Sequence, residues 1–395
     1  MIDVAIVGAG PVGTLLAAEC ARHGIAAIAF EGRADVGGGS RAVGVHATAL
    51  AAMEASGATD RLLASALRVR IGEARRRGRS LGEVRFDRLR ARHPYVATLP
   101  QSATESALAE TARAWGAPPP RRGWRVGALT ERDDAVEVQL ERGKGDGGVD
   151  GGDHETALAR IVVIAGGLRA RGLMPGAVRG RRYPDRYLMT DCDDASGDGD
   201  RAVVHLDGAG VLESFPLPDA RRRYVAWMPV PPTGAGDRDA DAARLRAAVA
   251  ERTGSDAAAD RISEATGFGV ARSRLQAMRA GRIIAIGDTA HEVSPIGGQG
   301  MNLGLLDAAT LAPLLARWSR ESGPPAALDA WERDRLRAAD RAGRIAAINT
   351  MLGRPARPGA ATAVRVALHT PAARVLAHAY GMGFDPAARR FAAPR

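Results

Sequence analysis

Apolar residues recur along this chain in short blocks, and the spacing of those blocks predicts a mixed α/β fold. Val4 to Val7 form the kind of apolar run that a strand buried on both faces requires. After Pro11, Leu15, Leu16, Ala18 and Ala21 fall at helical spacing, Gly24 stops that helix, and Ile25 to Phe30 make the next strand. A helical segment from about Val45 to Ser56 precedes two hairpin strands, Leu67 to Ile71 and Glu83 to Phe86. Tyr95 to Leu99 reads as a strand and Ser102 to Trp115 as a helix, with Glu105 in its first turn. Val126 to Leu129 and Ala135 to Leu140 alternate about Arg132-Asp133-Asp134, and Ile161 to Ile164 is a further buried-type strand.

From about Tyr183 to Pro229 the period changes. Val203 to Leu206, Leu212 to Phe215 and Tyr224 to Trp227 are short runs separated by turns at Asp207-Gly208 and Pro218-Asp219, which predicts an antiparallel sheet. Such a sheet leaves one face free to wall a pocket, and Met189, His205, Phe215 and Trp227 are the candidates to line it. A polar helix from Ala240 to Arg252 lies outside. Ile283 to Ile286 is the last buried strand, and a long helix runs through Leu303, Leu306, Ala309, Leu311 and Leu314. Helices from about Leu328 to Leu352 and Ala361 to Ala379 follow.

The first strand, helix and strand carry a specific turn. Gly8, Gly10 and Gly13 stand at the spacing of a dinucleotide fold: the first allows the tight turn, the second lets backbone amides approach a pyrophosphate, and the third lets helix and sheet pack closely. The helix beginning near Pro11 directs its positive end at that phosphate. Glu31, at the tip of the second strand, has the offset at which a carboxylate accepts hydrogen bonds from an adenosine ribose. An acid there also points to NAD or FAD rather than NADP. Arg41, after the glycines 37 to 39, is placed to reach back to phosphate or ribose. A second anion-favouring end lies at Pro295-Ile296-Gly297-Gly298-Gln299-Gly300-Met301-Asn302, where glycines precede the long helix and leave its first amides unpaired.

Composition narrows the picture. With 395 residues, 46% of them hydrophobic, the chain can bury a large core in two joined lobes. No apolar run reaches the roughly 18 residues of a membrane span, and the first strand begins at once with no leader pattern, so a cytoplasmic protein without stable membrane insertion is expected. Cys20 and Cys192 are too few for a disulfide framework or a metal site. The net charge of +10 does not argue for nucleic acid: Lys144 is the only lysine, and the arginines are scattered among alanine and aspartate, apart from Arg75, Arg76, Arg77 and Arg79 at a hairpin turn.

Taken together, Gly8 to Glu31, Gln101, Ala165 to Arg169 and Gly287 to Gly304 resemble the single-component FAD-dependent aromatic hydroxylases of the p-hydroxybenzoate hydroxylase family, particularly their natural-product branch. The likeness runs from residue 2 to about residue 345, and Gly287-Asp288-Thr289-Ala290-His291 followed by Pro295 to Asn302 is its most specific part.

The resemblance implies a Rossmann-like FAD-binding lobe over residues 1–66, 95–175 and 275–325. Interleaved with it would be an antiparallel β-sheet substrate lobe over 67–94 and 176–274, with a C-terminal helical segment over 326–395. It would place Gly8, Gly10, Pro11, Val12, Gly13, Glu31, Gly32 and Arg33 on the ADP half of FAD, Arg41 and Gln101 along the flavin, and Gly287 and Asp288 at the ribityl chain. Gly298, Gly300, Met301 and Asn302 would lie at the pyrimidine edge, with Pro295 beside the reacting ring position. NAD(P)H as transient reductant, O2, a flavin C4a-hydroperoxide and an aromatic or polyketide-like small molecule complete the implied monooxygenase reaction.

His205 and His291 are the candidate bases. The family's Gly-Ala-Asp-Gly is replaced by Ile164-Ala165-Gly166-Gly167, and its His-Ala-Arg-Thr by His46-Ala47-Thr48. The first departure leaves an oxidase, reductase or epoxidase with altered nicotinamide use as an alternative, beside a flavin-binding scaffold without turnover. A halogenase would rely on a lysine, and here the sole lysine sits in a glycine-rich loop.

Overall fold

The computed structural model describes residues 1–35, 42–142, 153–229, 238–321, 323–355 and 359–392. Two eight-stranded sheets dominate it, and the cavity lies between them. In the first sheet the strands run in the order Arg279–Ala280, Ile283–Ala285, His154–Ile164, Ile2–Val7, Ala27–Glu31, Arg121–Arg122. Its centre is parallel: Ile2–Val7 pairs with Ala27–Glu31 on one side and His154–Ile164 on the other. Val4, Ala5 and Ile6 are fully buried, as a run without polar alternation requires. Two antiparallel strands, Trp124–Glu131 and Val136–Arg142, extend His154–Ile164 beyond this centre.

Helix Pro11–Arg22 packs on Gln101–Ala114 and on the long helix Gln299–Trp318. Gly13 makes this possible, because a Cβ there would stand 2.0 Å from the Gly8 carbonyl oxygen. Gly8 itself holds φ +103°, a conformation that favours glycine, and presses on Gly166.

The second sheet runs His291–Glu292, Thr266–Leu275, Val178–Asp193, Arg221–Met228, Gly210–Leu217, Ala202–Asp207, Ile71–Arg76, Arg79–Arg85. All its pairs are antiparallel except Ala202–Asp207 with Ile71–Arg76. The antiparallel pattern read between Tyr183 and Pro229 therefore holds; of the expected hairpin strands, the one read as Leu67 to Ile71 is displaced, because the hairpin that joins this sheet is Ile71–Arg76 with Arg79–Arg85 and Leu67–Val69 pairs elsewhere. One face packs under helix Arg238–Thr253 through Leu212, Tyr224 and Leu245, and the other faces the cavity. A three-stranded sheet of Gly44–Val45, Val96–Thr98 and Leu67–Val69 bridges the two.

Two helical expectations need correction. The segment expected from Val45 to Ser56 is a strand end, a short helix Ala47–Ala52 and a turn Glu54–Ser56, followed by a helix Ala58–Ser65 that starts at Gly57 with φ +76°. The helix expected over Ala361 to Ala379 is two, Ala360–Leu368 and Ala372–Tyr380. Pro371 interrupts it, because proline cannot donate its backbone hydrogen bond and crowds the preceding turn. Among the described residues no helix is long and apolar enough to cross a membrane, and no three His, Cys, Asp or Glu side chains are grouped to hold a metal.

Candidate active site

A single cavity of about 1900 Å³ runs from the first glycine turn, past the start of the long helix, to the open face of the antiparallel sheet. That exceeds the upper end of roughly 1,000 Å³ for one drug-sized ligand and suits a large ligand with a second molecule beside it.

Gly8, Gly10, Pro11, Val12, Glu31, Gly32 and Arg33 line one end. Helix Pro11–Arg22 has no side-chain cap, so its first backbone amides remain available to an anion. A Cβ on Gly10 would meet nothing within 4 Å, which marks open space directly over those amides. Glu31 is 8% exposed; its Oε2 accepts from the Ala9 amide at 3.0 Å and its Oε1 from the Arg33 amide and Nε, both at 3.0 Å. Burial pushes this carboxyl up, but the Arg33 guanidinium and the two backbone donors outweigh that and leave it below the usual carboxylate range.

The middle is built on the long helix. Gly297 and Gly298 hold φ +94° and +67°, and Gly298 caps helix Gln299–Trp318 with no side-chain cap. Pro295, Gly298, Gly300 and Met301 line the cavity there, with Gln101 from the facing helix and Gly287 and Asp288 from the turn after the last strand. Arg171 fixes that turn by donating from Nε to the Thr289 carbonyl at 2.9 Å and from Nη2 to the Asp288 carbonyl at 2.6 Å. Gln101 accepts from the Ala42 amide and donates to Glu105 at 2.9 Å.

The far end is the sheet. Side chains alternate across a strand, so Val204, Val211, Glu213, Phe215, Val225 and Met189 all present one face to the cavity.

Several residues singled out in the sequence stand elsewhere. Gly13 is behind the lining, where its role is close packing. Asn302 is buried outside the cavity. It accepts from the His46 amide at 2.8 Å and donates to the Gly44 and Gly298 carbonyls, both at 2.9 Å, tying the bridging sheet to the helix start.

His205 lies on the opposite face of its strand from Val204 and Leu206, and burial lowers it to about 4. It is therefore not a base in the cavity. His291 is not one either: its Nε2 is 2.6 Å from Asp307 in the core. Trp227 does not line the cavity, because its Nε1 donates to Asp185 at 2.9 Å and its ring covers Gly210. Arg41 lies outside the described residues, as does Lys144.

The structure adds residues that periodicity did not single out. His46, lowered to about 4 by burial, lines the cavity against Gly298. Glu213 lines it on the sheet, and Asn349 and Tyr380 line it near Gly297. The alternation of Leu212 to Phe215 carried a signal for Glu213, a carboxylate at an inward position; Asn349 and Tyr380 come from helices that looked like outer faces.

The donor set fits FAD in kind: an open cradle over unpaired helix amides, a carboxylate at the second strand's tip, and a second uncapped helix end facing the same space.

Comparison with known proteins agrees. The chain is 31% identical over 350 residues to the 12-dehydrotetracycline 5-monooxygenase/anhydrotetracycline 6-monooxygenase of Streptomyces rimosus, covering 84% of this chain and 66% of that protein. It is 31% identical over 343 residues to the rifampicin monooxygenase of Streptomyces venezuelae, covering 85% and 68%. The chain thus spans about two thirds of the length of these relatives.

Among solved structures, the anhydrotetracycline hydroxylase OxyS of Streptomyces rimosus matches with a TM-score of 0.78 at 28% identity, over 96% of this chain and 75% of that one. The p-nitrophenol 4-monooxygenase PnpA of Pseudomonas putida shares the fold, with a TM-score of 0.83 at 21% identity over 97% and 98%. The model of the FAD binding domain family matches residues 1–346, and the chain belongs to that family.

Proposed function

We propose that this chain is an FAD-dependent monooxygenase that uses NAD(P)H and O2 to hydroxylate an aromatic or polyketide-like small molecule. The observation that carries the reading is the continuity of the cavity: the glycine cradle, the uncapped helix start at Gly298 and the apolar sheet face open into one space. When bound, FAD supplies the redox chemistry, taking electrons from the nicotinamide and delivering one oxygen atom to the substrate.

The protein's own groups bind, orient and exclude water. The amides after Gly10 hold the pyrophosphate, and Glu31 receives the ribose. Its acceptor positions are already taken by Ala9 and Arg33, so a ribose hydroxyl replaces one contact to the half-exposed Arg33 side chain. Asp288 and Gln101 face the ribityl region. The positive end of helix Gln299–Trp318 would favour negative charge on the bound cofactor, and Pro295, which lines the cavity there, would help to hold the substrate beside it. Val204, Val225, Met189 and Phe215 hold the substrate and keep the site dry.

Neither His205 nor His291 is placed as base, and the family chemistry requires no protein nucleophile. A requirement for NAD(P)H fits a cytoplasmic setting.

One observation favours the alternative of altered nicotinamide use. At Gly166, where the family carries an acid, a Cβ would stand 2.6 Å from the Ala170 side chain.

The test is purification followed by reduction assays with NADPH and NADH, with and without an aromatic substrate. A yellow protein whose reduction accelerates with substrate supports the monooxygenase. A yellow protein reduced by neither nucleotide favours the alternative, and a colourless protein that takes up no FAD overturns both.

A further inference from the structure

Glu213 projects a carboxyl from the sheet face that lines the cavity, and unlike Asp191 on the same face it has no arginine against it. It pairs across the sheet with Val204 on one side and Val225 on the other, lines the cavity, and is 8% exposed. No hydrogen bond or ion pair reaches it from any described residue, although it stands near enough to Tyr380 to act on that hydroxyl electrostatically. Beside it, the Tyr380 hydroxyl donates to Asn349 Oδ1 at 3.3 Å, while Asn349 Nδ2 is buried without a partner. This pair lies at the flavin end of the sheet, since a Cβ on Gly297 would stand 2.6 Å from Asn349 Nδ2 and 3.5 Å from the Tyr380 ring. Two buried polar groups thus face the cavity with hydrogen-bonding capacity unused. A buried polar group left unsatisfied is costly, so such groups mark a place for a ligand.

Resting on the monooxygenase reading above, we propose that Glu213 and the open end of the Asn349 amide recognise a free phenolic hydroxyl on an uncharged, fused-ring substrate. The hydroxyl follows from the chemistry of the pair. With valines on both sides and no cation against it, the carboxyl favours its neutral form, which donates one hydrogen bond and accepts another. A hydroxyl answers both. An anionic substrate is disfavoured because the nearest cavity cation on this face, Arg223, is committed to Asp191 at 2.5 and 2.6 Å. The fused ring follows from the walls, which are Val204, Leu206, Val225, Met189 and Phe215.

The test uses the FAD-loaded full chain and two probes, 2-hydroxyanthraquinone and 2-methoxyanthraquinone, with Kd measured by equilibrium dialysis. The unmodified protein is expected to prefer the hydroxy probe by roughly ten- to hundredfold, as loss of one buried hydrogen-bond partner implies. Glu213→Leu is expected to abolish that preference and Glu213→Gln to retain part of it. FAD content, measured on the same samples, reports separately on the cofactor reading. The proposal is overturned if the native protein binds the two probes equally or binds neither, or if Glu213→Leu keeps the preference. Should Glu213→Leu fail to fold, Asn349→Leu decides: a ratio lowered by about tenfold supports the proposal, and an unchanged ratio overturns it.

Discussion

The His291 imidazole and the Asp307 carboxylate meet at 2.6 Å inside the core, with both side chains at 1% exposure or less. Asp307 also accepts from the Gly287 amide at 2.9 Å and from Arg335 Nε at 2.5 Å, and Arg335 continues to Asp385 at 2.8 Å. This network ties the turn carrying Asp288 to the helices Gln299–Trp318 and Ala327–Leu352 and to the C-terminal segment. A histidine that sequence alone offers as a base is thus part of the scaffold beneath the cofactor end.

Breaking that scaffold has a calculable direction. Asp307→Asn leaves Arg335 short of a buried countercharge and removes the acceptor beside His291, and removing one partner of a buried ion pair costs about 3–5 kcal/mol. Urea unfolding checks this, and a loss below about 1 kcal/mol would show the cluster to be solvated. The pH dependence follows from the same group. Burial raises the Asp307 carboxyl, but His291, Arg335 and the hydrogen bonds to it prevail and hold it below its ordinary value. Its contribution is therefore complete above the unfolded carboxylate value near 4 and is lost as pH falls through the depressed folded value. The acid limb of the unfolding curve should flatten in Asp307→Asn.

Glu213 acts in the opposite sense. Burial alone pushes it up to about 8, so the folded protein holds a proton that the unfolded chain has released. Stability from this group is full below the unfolded carboxylate value near 4 and declines as pH rises to about 8, after which it is flat. Tyr380, raised to about 12, and Tyr187, raised further, stay neutral throughout this window. Melting temperatures of the native protein and Glu213→Gln, compared between pH 5 and pH 9, should diverge with the native protein losing more; parallel curves would place the carboxyl in contact with bulk water.

Arg171 supplies a test of the turn itself. It holds the carbonyls of Asp288 and Thr289 and donates to Ser273 Oγ at 2.6 Å. Hydrogen bonds from a charged donor contribute about 1.5–3 kcal/mol each at most, and part of that positions Asp288. Arg171→Ala should weaken FAD binding about tenfold or more by titration of the apoprotein, while Arg171→Lys recovers only part, since one ammonium cannot span three acceptors. Unchanged FAD affinity in Arg171→Ala would separate this turn from the cofactor.

Much of this architecture is written locally. Val4 to Val7, the three glycines and Glu31 fall within one strand, turn, helix and strand, so that single unit exposes their purpose. The glycines before Gln299 likewise announce an uncapped helix. What escaped the sequence depends on contacts between distant segments. His205 and Val204 are neighbours in the chain, yet the sheet sends one outward and one into the cavity, and only the register decides which. Trp227 shares the inward face but is drawn aside by Asp185, which is itself held by Arg354 from the far end of the chain. Asn349 and Tyr380 enter the site from the C-terminal helices, whose patterning shows an amphipathic face without showing what it covers.

The two glycines of the first turn separate packing from binding. A Cβ on Gly13 would lie 2.0 Å from the Gly8 oxygen and 3.0 Å from its carbonyl carbon, both backbone atoms that cannot step aside. Gly13→Ala must therefore push helix Pro11–Arg22 off the sheet and lower stability and FAD content together. Gly10 has ordinary backbone angles, φ −76° and ψ −174°, and a Cβ there meets nothing within 4 Å of protein. Gly10→Ala should unfold at the native temperature, since an unstrained substitution without steric conflict stays within about 0.5 kcal/mol. The added methyl nevertheless occupies the space over the helix amides, so FAD affinity should fall at least tenfold, read by cofactor titration of the apoprotein. A Gly10→Ala protein that is both stable and fully loaded would mean that the pyrophosphate does not lie over this turn.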